Sequence, residues 1–296
     1  MYRGGKQMSE SYIEVNGINH WVKMRIINEM SMPVVIVHGG PGGFTNVYEK
    51  IPGIHLERYL NIIYYEQRGC GRTEEPTNGK YDIESLIDDL KKLISKLGYK
   101  KVHLLGYSFG AELAAEFTLS HPEMVGKLVL HSPSDMADSQ RLYRIQYEGI
   151  KSVLRKEKLH KLVEINNSKR SVIEKYNRIW SLMDSESSDK LLFHNQDRAR
   201  WNREQWESST SINTGKMARE VIGRVRECTV CESAKSISKE TLVIIGKHDK
   251  NVGIEIPKDY ATNIKKSKLV VFENSGHFPD IEECEKYVFE IVQFLK

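Results

Sequence analysis

No apolar run in this chain approaches the roughly 20 residues that cross a bilayer as a helix, so no spanning segment is expected. The opening residues, Met1 to Glu10, hold no apolar stretch of the kind an export signal needs. Lysine and arginine total 44 against 40 acidic residues, and the formal charge of +4 is not gathered in one place. No basic stretch carries interleaved aromatics, which argues against nucleic acid as a partner. Cysteine is scarce: Cys70, Cys228, Cys231 and Cys284 are too few for a disulfide scaffold in a chain of 296 residues. Cys228-Thr-Val-Cys231 has the spacing of a metal or redox pair, but a zinc site needs a second ligand pair and none follows. These absences lead us to expect a soluble, cytoplasmic protein with reduced cysteines, no metal and no membrane association.

What is present is enough apolar residue, 40% of the chain, for one large domain or a domain with an insertion. Short apolar runs alternate with amphipathic stretches, the signature of a mostly parallel sheet with helices on both faces, an α/β fold. Tyr12–Val15 and His20–Ile27 read as a hairpin around Asn16-Gly17. Further strands are expected at 34–37, 61–65, 102–105, 127–130, 241–245 and 269–272. A helix over 82–97 carries Ile83, Leu86, Ile87, Leu90, Leu93, Ile94 and Leu97 at helical spacing and stops at Gly98. From 134 to 225 the chain turns polar and helical in period, with no strand-like run. We read this block as a helical cap inserted between core segments 1–133 and 226–296.

The most telling segment is Val102 to Ala111. A β-rich run enters Gly106-Tyr107-Ser108-Phe109-Gly110, and a helix former follows at once. A G-x-S-x-G turn between a strand and a helix lifts the serine hydroxyl clear of the sheet edge, with helix amides and a positive dipole end beneath it. Serine attacks only when a base takes its proton, most often a histidine held by a carboxylate. With the serine first, acid and base are sought downstream, in that order. Asp249 follows strand 241–245 in Gly246-Lys-His-Asp249, and His277 follows strand 269–272 in Asn274-Ser-Gly-His277. Both lie at C-terminal strand ends, where open α/β sheets carry their sites. Taken alone, His277 reads as a cap on the final helix; with Ser108 and Asp249 it completes a catalytic set. Asp135 and Asp280 are the other candidates for the acid, Asp280 only through an unusual local geometry.

The oxyanion of such a reaction needs fixed donors. Val34-Val-Ile-Val-His-Gly-Gly-Pro-Gly-Gly43 sets a glycine-rich loop after a buried strand, and the amides of Gly40 and Phe109 are the expected donors, with Gly39 the neighbouring alternative. The loop has neither the Lys-Ser/Thr of a phosphate-binding P-loop nor the spacing of a dinucleotide fingerprint.

His38-Gly-Gly-Pro-Gly42, Glu66-Gln-Arg-Gly-Cys-Gly-Arg-Thr73 and Gly106-Tyr-Ser-Phe-Gly110 together resemble the prolyl aminopeptidase (proline iminopeptidase) branch of the α/β-hydrolases. Gly246-Lys-His-Asp249 and Ser275-Gly-His277 look like its acid and base motifs. The resemblance implies an eight-stranded sheet with a helical cap, and release of an N-terminal residue, often proline. The branch usually has Asp where Glu66 stands and Trp where Phe109 stands, which puts strict proline specificity in question. In that family, acidic groups on the cap hold the free amine of the substrate. Trp206-Glu207-Ser-Ser-Thr210 is similar to one such motif, so Glu207 and Trp206 carry over as substrate-binding residues, while Glu204, Glu220 and Glu227 are candidates for a second acid. Gln67 and Arg68 are expected to tie the loop beneath the site, and Trp180, Trp201 and Trp206 to pack the cap or wall an apolar pocket.

The sequence therefore predicts a serine hydrolase acting on an amide or ester of a small peptide or amino-acid-derived substrate, without metal or organic cofactor. An esterase, lactonase or amidase using the same residues on a substrate without a free amine is the rival within enzymes. A non-catalytic scaffold binding a ligand under the cap is the rival outside them. Side-chain preference, leaving group and oligomeric state are not legible.

Overall fold

Asn16 and Gly17, with φ of 54° and 73°, turn β1 (Gln7–Val15) straight back onto β2 (Ile18–Ile26), the two-residue turn that suits the twist of a hairpin. The computed structural model describes residues 7–207, 214–222, 224 and 227–296. Beyond the hairpin come β3 (Val34–Val37), β4 (Ile62–Tyr65), β5 (Val102–Tyr107), β6 (Val125–His131), β7 (Thr241–Gly246) and β8 (Ser267–Phe272). They form one eight-stranded sheet in the order β1-β2-β4-β3-β5-β6-β7-β8. β2 is antiparallel to both neighbours, and every later pair is parallel.

Parallel strands need crossovers, and the helices supply them on both faces. The short turns α1 (Asn46–Tyr48) and α2 (Ile54–Leu56) and the longer α3 (Ile83–Lys96) and α4 (Phe109–Ser120) lie between strands of the first half. Asp82 caps α3 by accepting from Ser85 N–H at 2.8 Å, and Gly98 ends it at φ 83°. Because side chains alternate along a strand, neighbours in β3 and β4 fall into different cores. Val35, Val37, Ile63 and Tyr65 pack with α3 and α4, whereas Val34, Ile36, Ile62 and Tyr64 pack on the other face with Tyr287, Val288 and Ile291. Every residue of β3 and β4 is buried, which is why both read as unbroken apolar runs.

Between β6 and β7 the described residues contain no strand. They form α5 (Ser139–Val153), α6 (Leu159–Asn167), α7 (Val172–Ser181), α8 (Ser185–Leu192), α9 (Gln196–Glu207), α10 (Thr214–Val221) and α11 (Val230–Ser233). Short polar caps start them: Asp138, Ser171, Asp184 and Thr229 each accept a backbone N–H from the first turn of α5, α7, α8 and α11. Tyr143, Ile150, Leu154, Leu162, Ile179 and Leu191 give this layer a small apolar centre of its own. The chain closes with α12 (Glu255–Asn263), α13 (Pro279–Glu282) and α14 (Cys284–Leu295). No helix among the described residues is long and apolar enough to cross a membrane.

Candidate active site

Ser108 sits between β5 and α4 at φ 55° and ψ −126°, a backbone state that a non-glycine residue holds only when its surroundings impose it. The surroundings do so through glycine. A Cβ on Gly110 would lie 2.1 Å from the Val37 carbonyl oxygen, and one on Gly106 2.2 Å from that of Gly110. Only bare backbone lets α4 start this close to the ends of β3 and β5. Ser108 N–H donates to the His131 carbonyl at 2.8 Å, fixing the turn against β6.

The loops after β7 and β8 meet by the same device. A Cβ on Gly246 would lie 1.8 Å from the Gly276 carbonyl oxygen, so the loop after β7 can touch the loop after β8 only at glycine. The contact brings His277 Nδ1 to 2.7 Å from Asp249 Oδ2, and His277 Nε2 to 3.0 Å from Ser108 Oγ. A carboxylate only accepts, so Nδ1 carries the ring proton and Nε2 is free to accept from the serine hydroxyl. Asp249 Oδ1 accepts from the N–H groups of Asn251 and Val252 at 2.8 and 3.0 Å. The helices between β6 and β7 hold His277 as well: its N–H donates to the carbonyl of Leu192, at the end of α8, at 2.7 Å. Ser108, Asp249 and His277 are all buried.

Gly39 and Gly40 border the same cavity as Ser108, and a Cβ on Gly39 would come within 2.9 Å of Ser108 Cβ. Phe109 is the first residue of α4, so its N–H has no acceptor within the helix. Beneath the loop, Gln67 brackets His38, its N–H donating to Nε2 at 2.9 Å and its side-chain amide to the carbonyl at 2.7 Å. Arg68 pairs with buried Asp89 through Nε and Nη2 at 2.7 and 2.8 Å. Glu66 is buried and receives Arg72 Nη2 at 2.6 Å, and the Arg72 guanidinium lies 3.1 Å above the Trp21 ring. These residues support the site from below.

Asp135 does not reach His277. Its carboxylate accepts from Val230 and Cys231 N–H at 3.4 and 2.9 Å and so caps α11. Asp280 does not meet Nδ1 either; it is buried beside His131, with Oδ1 3.8 Å from His131 Nε2. The described residues contain no disulfide and no cluster of three or more His, Cys, Asp or Glu arranged to hold a metal.

A cavity of about 390 Å³ opens over Ser108 and His277. Trp180 and Trp206 wall it from the inserted helices, and the Trp206 ring lies 4.6 Å from that of Phe44. Trp201 packs near Phe193 and Ala199 instead. Glu204, Glu220 and Glu227 are exposed and do not border the cavity. The Glu207 side chain lies outside the described residues.

Two features of the site have no sequence motif. Trp180 Nε1 donates to Gln146 Oε1 at 2.9 Å, Gln146 Nε2 donates to Asn251 Oδ1 at 2.9 Å, and Asn251 Nδ2 lies 3.4 Å from His277 Nε2. An indole N–H can only donate, so it sets the orientation of both amides and turns a donor toward His277. The second feature is Asp280, whose carboxyl burial pushes up to about 7. Burial also drives neighbouring His131 down to about 3, so that imidazole is neutral. Asn251 stands two residues from Asp249 and Asp280 three from His277, and that adjacency was the only available signal. Gln146 gave none.

The family model described as "alpha/beta hydrolase fold" matches residues 32–283. A proline iminopeptidase from Saccharolobus solfataricus is 28% identical, over 97% of this chain and 92% of that protein. Among solved structures, a proline iminopeptidase-related protein from Thermus thermophilus superposes with a TM-score of 0.78 at 18% identity, covering 98% of this chain and 97% of the other. An esterase from Exiguobacterium antarcticum superposes at 0.70 with 22% identity, covering 97% and 99%. At these identities both structures speak for the fold alone. The family match spans most of the chain and agrees with the strand order and the turn at Ser108: this protein belongs to the α/β-hydrolase fold family.

Proposed function

We propose that the chain is a serine hydrolase of aminopeptidase type that releases an N-terminal residue from a small peptide or amino-acid amide. The observation that carries the chemistry is the hydrogen-bonded series Ser108 Oγ, His277 Nε2, His277 Nδ1, Asp249 Oδ2, at 3.0 and 2.7 Å. The aminopeptidase reading draws its support from similarity to proline iminopeptidases along nearly the whole chain. Segment 134–225 is assigned as the cap, with 1–133 and 226–296 as the core that it interrupts.

Ser108 Oγ attacks the scissile carbonyl as His277 Nε2 takes its proton. Asp249 keeps the imidazole in the accepting tautomer and stabilises the imidazolium. The amides of Phe109 and of Gly40, or its neighbour Gly39, stabilise the tetrahedral oxyanion. His277 then passes its proton to the leaving nitrogen, which departs as a free amine. A water, deprotonated by His277, splits the acyl-enzyme and restores Ser108. Only protein groups and water take part.

A fluorophosphonate probe should label Ser108 in the folded protein and should fail on Ser108→Ala. An unlabelled wild type would favour a binding scaffold. Comparing an aminoacyl arylamide with its N-acetylated form tests the substrate class: loss of cleavage on acetylation supports capture of a free amine. Indifference to acetylation supports the second reading, an esterase or amidase, which the mainly apolar wall of Phe44, Trp180, Trp206 and Phe278 also suits.

A further inference from the structure

A substrate with a free α-amine brings a positive charge to within two bonds of the carbonyl that Ser108 attacks. Inside a cavity that excludes water, that charge needs a carboxylate close to the serine. Of the described residues that border the cavity, Asp280 alone is acidic. It is only 3% exposed, it is the second residue of α13, three residues beyond His277, and Oδ1 has no hydrogen-bond partner among the described residues.

Its neighbours do not supply a counter-charge. No Lys or Arg among the described residues lies within ion-pair distance of it. His131 Nε2, 3.8 Å from Oδ1, faces the His277 carbonyl at 3.3 Å, while the Tyr287 hydroxyl meets the other ring nitrogen at 3.2 Å. A carbonyl only accepts, so Nε2 carries the proton of a neutral ring. The Asp280 and Ile281 amides, the phenols of Tyr48, Tyr107 and Tyr287, the Cys284 thiol and the acidic Glu282 complete the surroundings, with His277 itself on the substrate side. A buried carboxyl with no cation beside it is expensive to ionise, and its upward shift to about 7 reflects that. Oδ1 has almost no accessible surface, so the carboxyl turns toward the cavity to meet an incoming ammonium, which would provide the missing partner.

We propose that Asp280 receives the protonated α-amine of the substrate from the core side of the cavity, so that selection for a free N-terminus is built into the loop that carries the catalytic histidine. This rests on the aminopeptidase reading above and deepens it. It differs from capture by the inserted helices, where Glu207 was expected to act.

The test is a ratio: kcat/KM for an aminoacyl arylamide over kcat/KM for the same acyl arylamide lacking the amine, in wild type and in Asp280→Asn. Loss of one charge-assisted contact should lower that ratio by about 10- to 100-fold. An equal loss on both substrates would overturn the proposal, because it would mean that Asp280 only supports the imidazolium or the fold. Wild type showing no preference for the amine would remove the aminopeptidase reading and this proposal together. Should Asp280→Asn fail to take the fluorophosphonate label, the structure of Ser108→Ala with a bound aminoacyl amide decides. An α-nitrogen within hydrogen-bond distance of Asp280 supports the proposal, and one paired only with a carboxylate of the inserted helices overturns it.

Discussion

The sheet and the inserted helices bury apolar residues by different rules, and they contribute to the site differently. In the sheet, partners are set by register: Val35 faces Leu104 and Ile63 across β3, and all three belong to one core. In the inserted layer, a thin apolar centre around Leu162 and Ile179 leaves most side chains polar. There, single polar contacts at long chain separation do the positioning. Gln146 reaches Asn251, and Leu192 holds His277 through one carbonyl. Arg224 spans back to Glu112 and Glu116 on α4 at 3.0 and 2.5 Å. The strand ends therefore carry Ser108, Asp249 and His277, while the helices between β6 and β7 wall the cavity above them.

That division can be broken experimentally. The largest effect should come from the sheet: Ser108→Ala should lower kcat by at least about 10⁴-fold with an unchanged unfolding transition, as steady-state kinetics and calorimetry would show. An insertion that held its own nucleophile would leave activity behind.

Next come the two apolar centres. Leu104→Ala should destabilise global unfolding by about 2–5 kcal/mol in urea titrations. Leu162→Ala, equally buried but in the smaller centre, should mainly raise hydrogen exchange in α5 to α7, with a smaller shift of the main transition. Equal shifts in both variants would mean that the layers unfold as one unit.

A third effect depends on pH. Burial raises the Asp280 carboxyl to about 7 in the folded protein, above its unfolded value. Between roughly pH 4 and 7 the folded state then binds more protons, so its stability should fall as pH rises through this window, by up to about 1.4 kcal/mol per unit. Asp280→Asn should flatten that slope in urea midpoints measured from pH 5 to 8; an unchanged slope would place the titration elsewhere.

The smallest effect belongs to the link between the regions. Asn251→Ala removes a 3.4 Å contact to His277 and should lower kcat/KM about 3- to 10-fold, with Trp180→Phe, which keeps an aromatic ring but loses the N–H, in the same direction. Additive losses in the double variant would show that the chain of amides does not act as a unit.

Most of the fold was legible because its rules are local. β3 and β4 are unbroken apolar runs since both their faces are covered, and α3 shows its buried face at helical spacing. Asn16-Gly17 marked the hairpin and Gly98 a helix end, each through a backbone state that few residues adopt. The turn at Ser108 was legible for the same reason: glycines at 106 and 110 can be read without knowing what they approach. Ser108, Asp249 and His277 were found from their places after strands, and the structure brings them within hydrogen-bond reach.

Chain order and local pattern thus settled the layers of the sheet, the turns and the strand ends after which Ser108, Asp249 and His277 stand. They could not settle which groups face one another across the cavity. Gln146 and Asn251 are 105 residues apart, and their amide orientations follow from an indole N–H on a third element. Asp280 looked like an unsuitable triad acid by its spacing from His277. Only its burial in the cavity wall, beside a neutral imidazole and away from any Lys or Arg among the described residues, gives it a distinct chemistry. Burial, counter-charge and hydrogen-bond polarity are properties of neighbours, and the neighbours here are assembled by the tertiary fold.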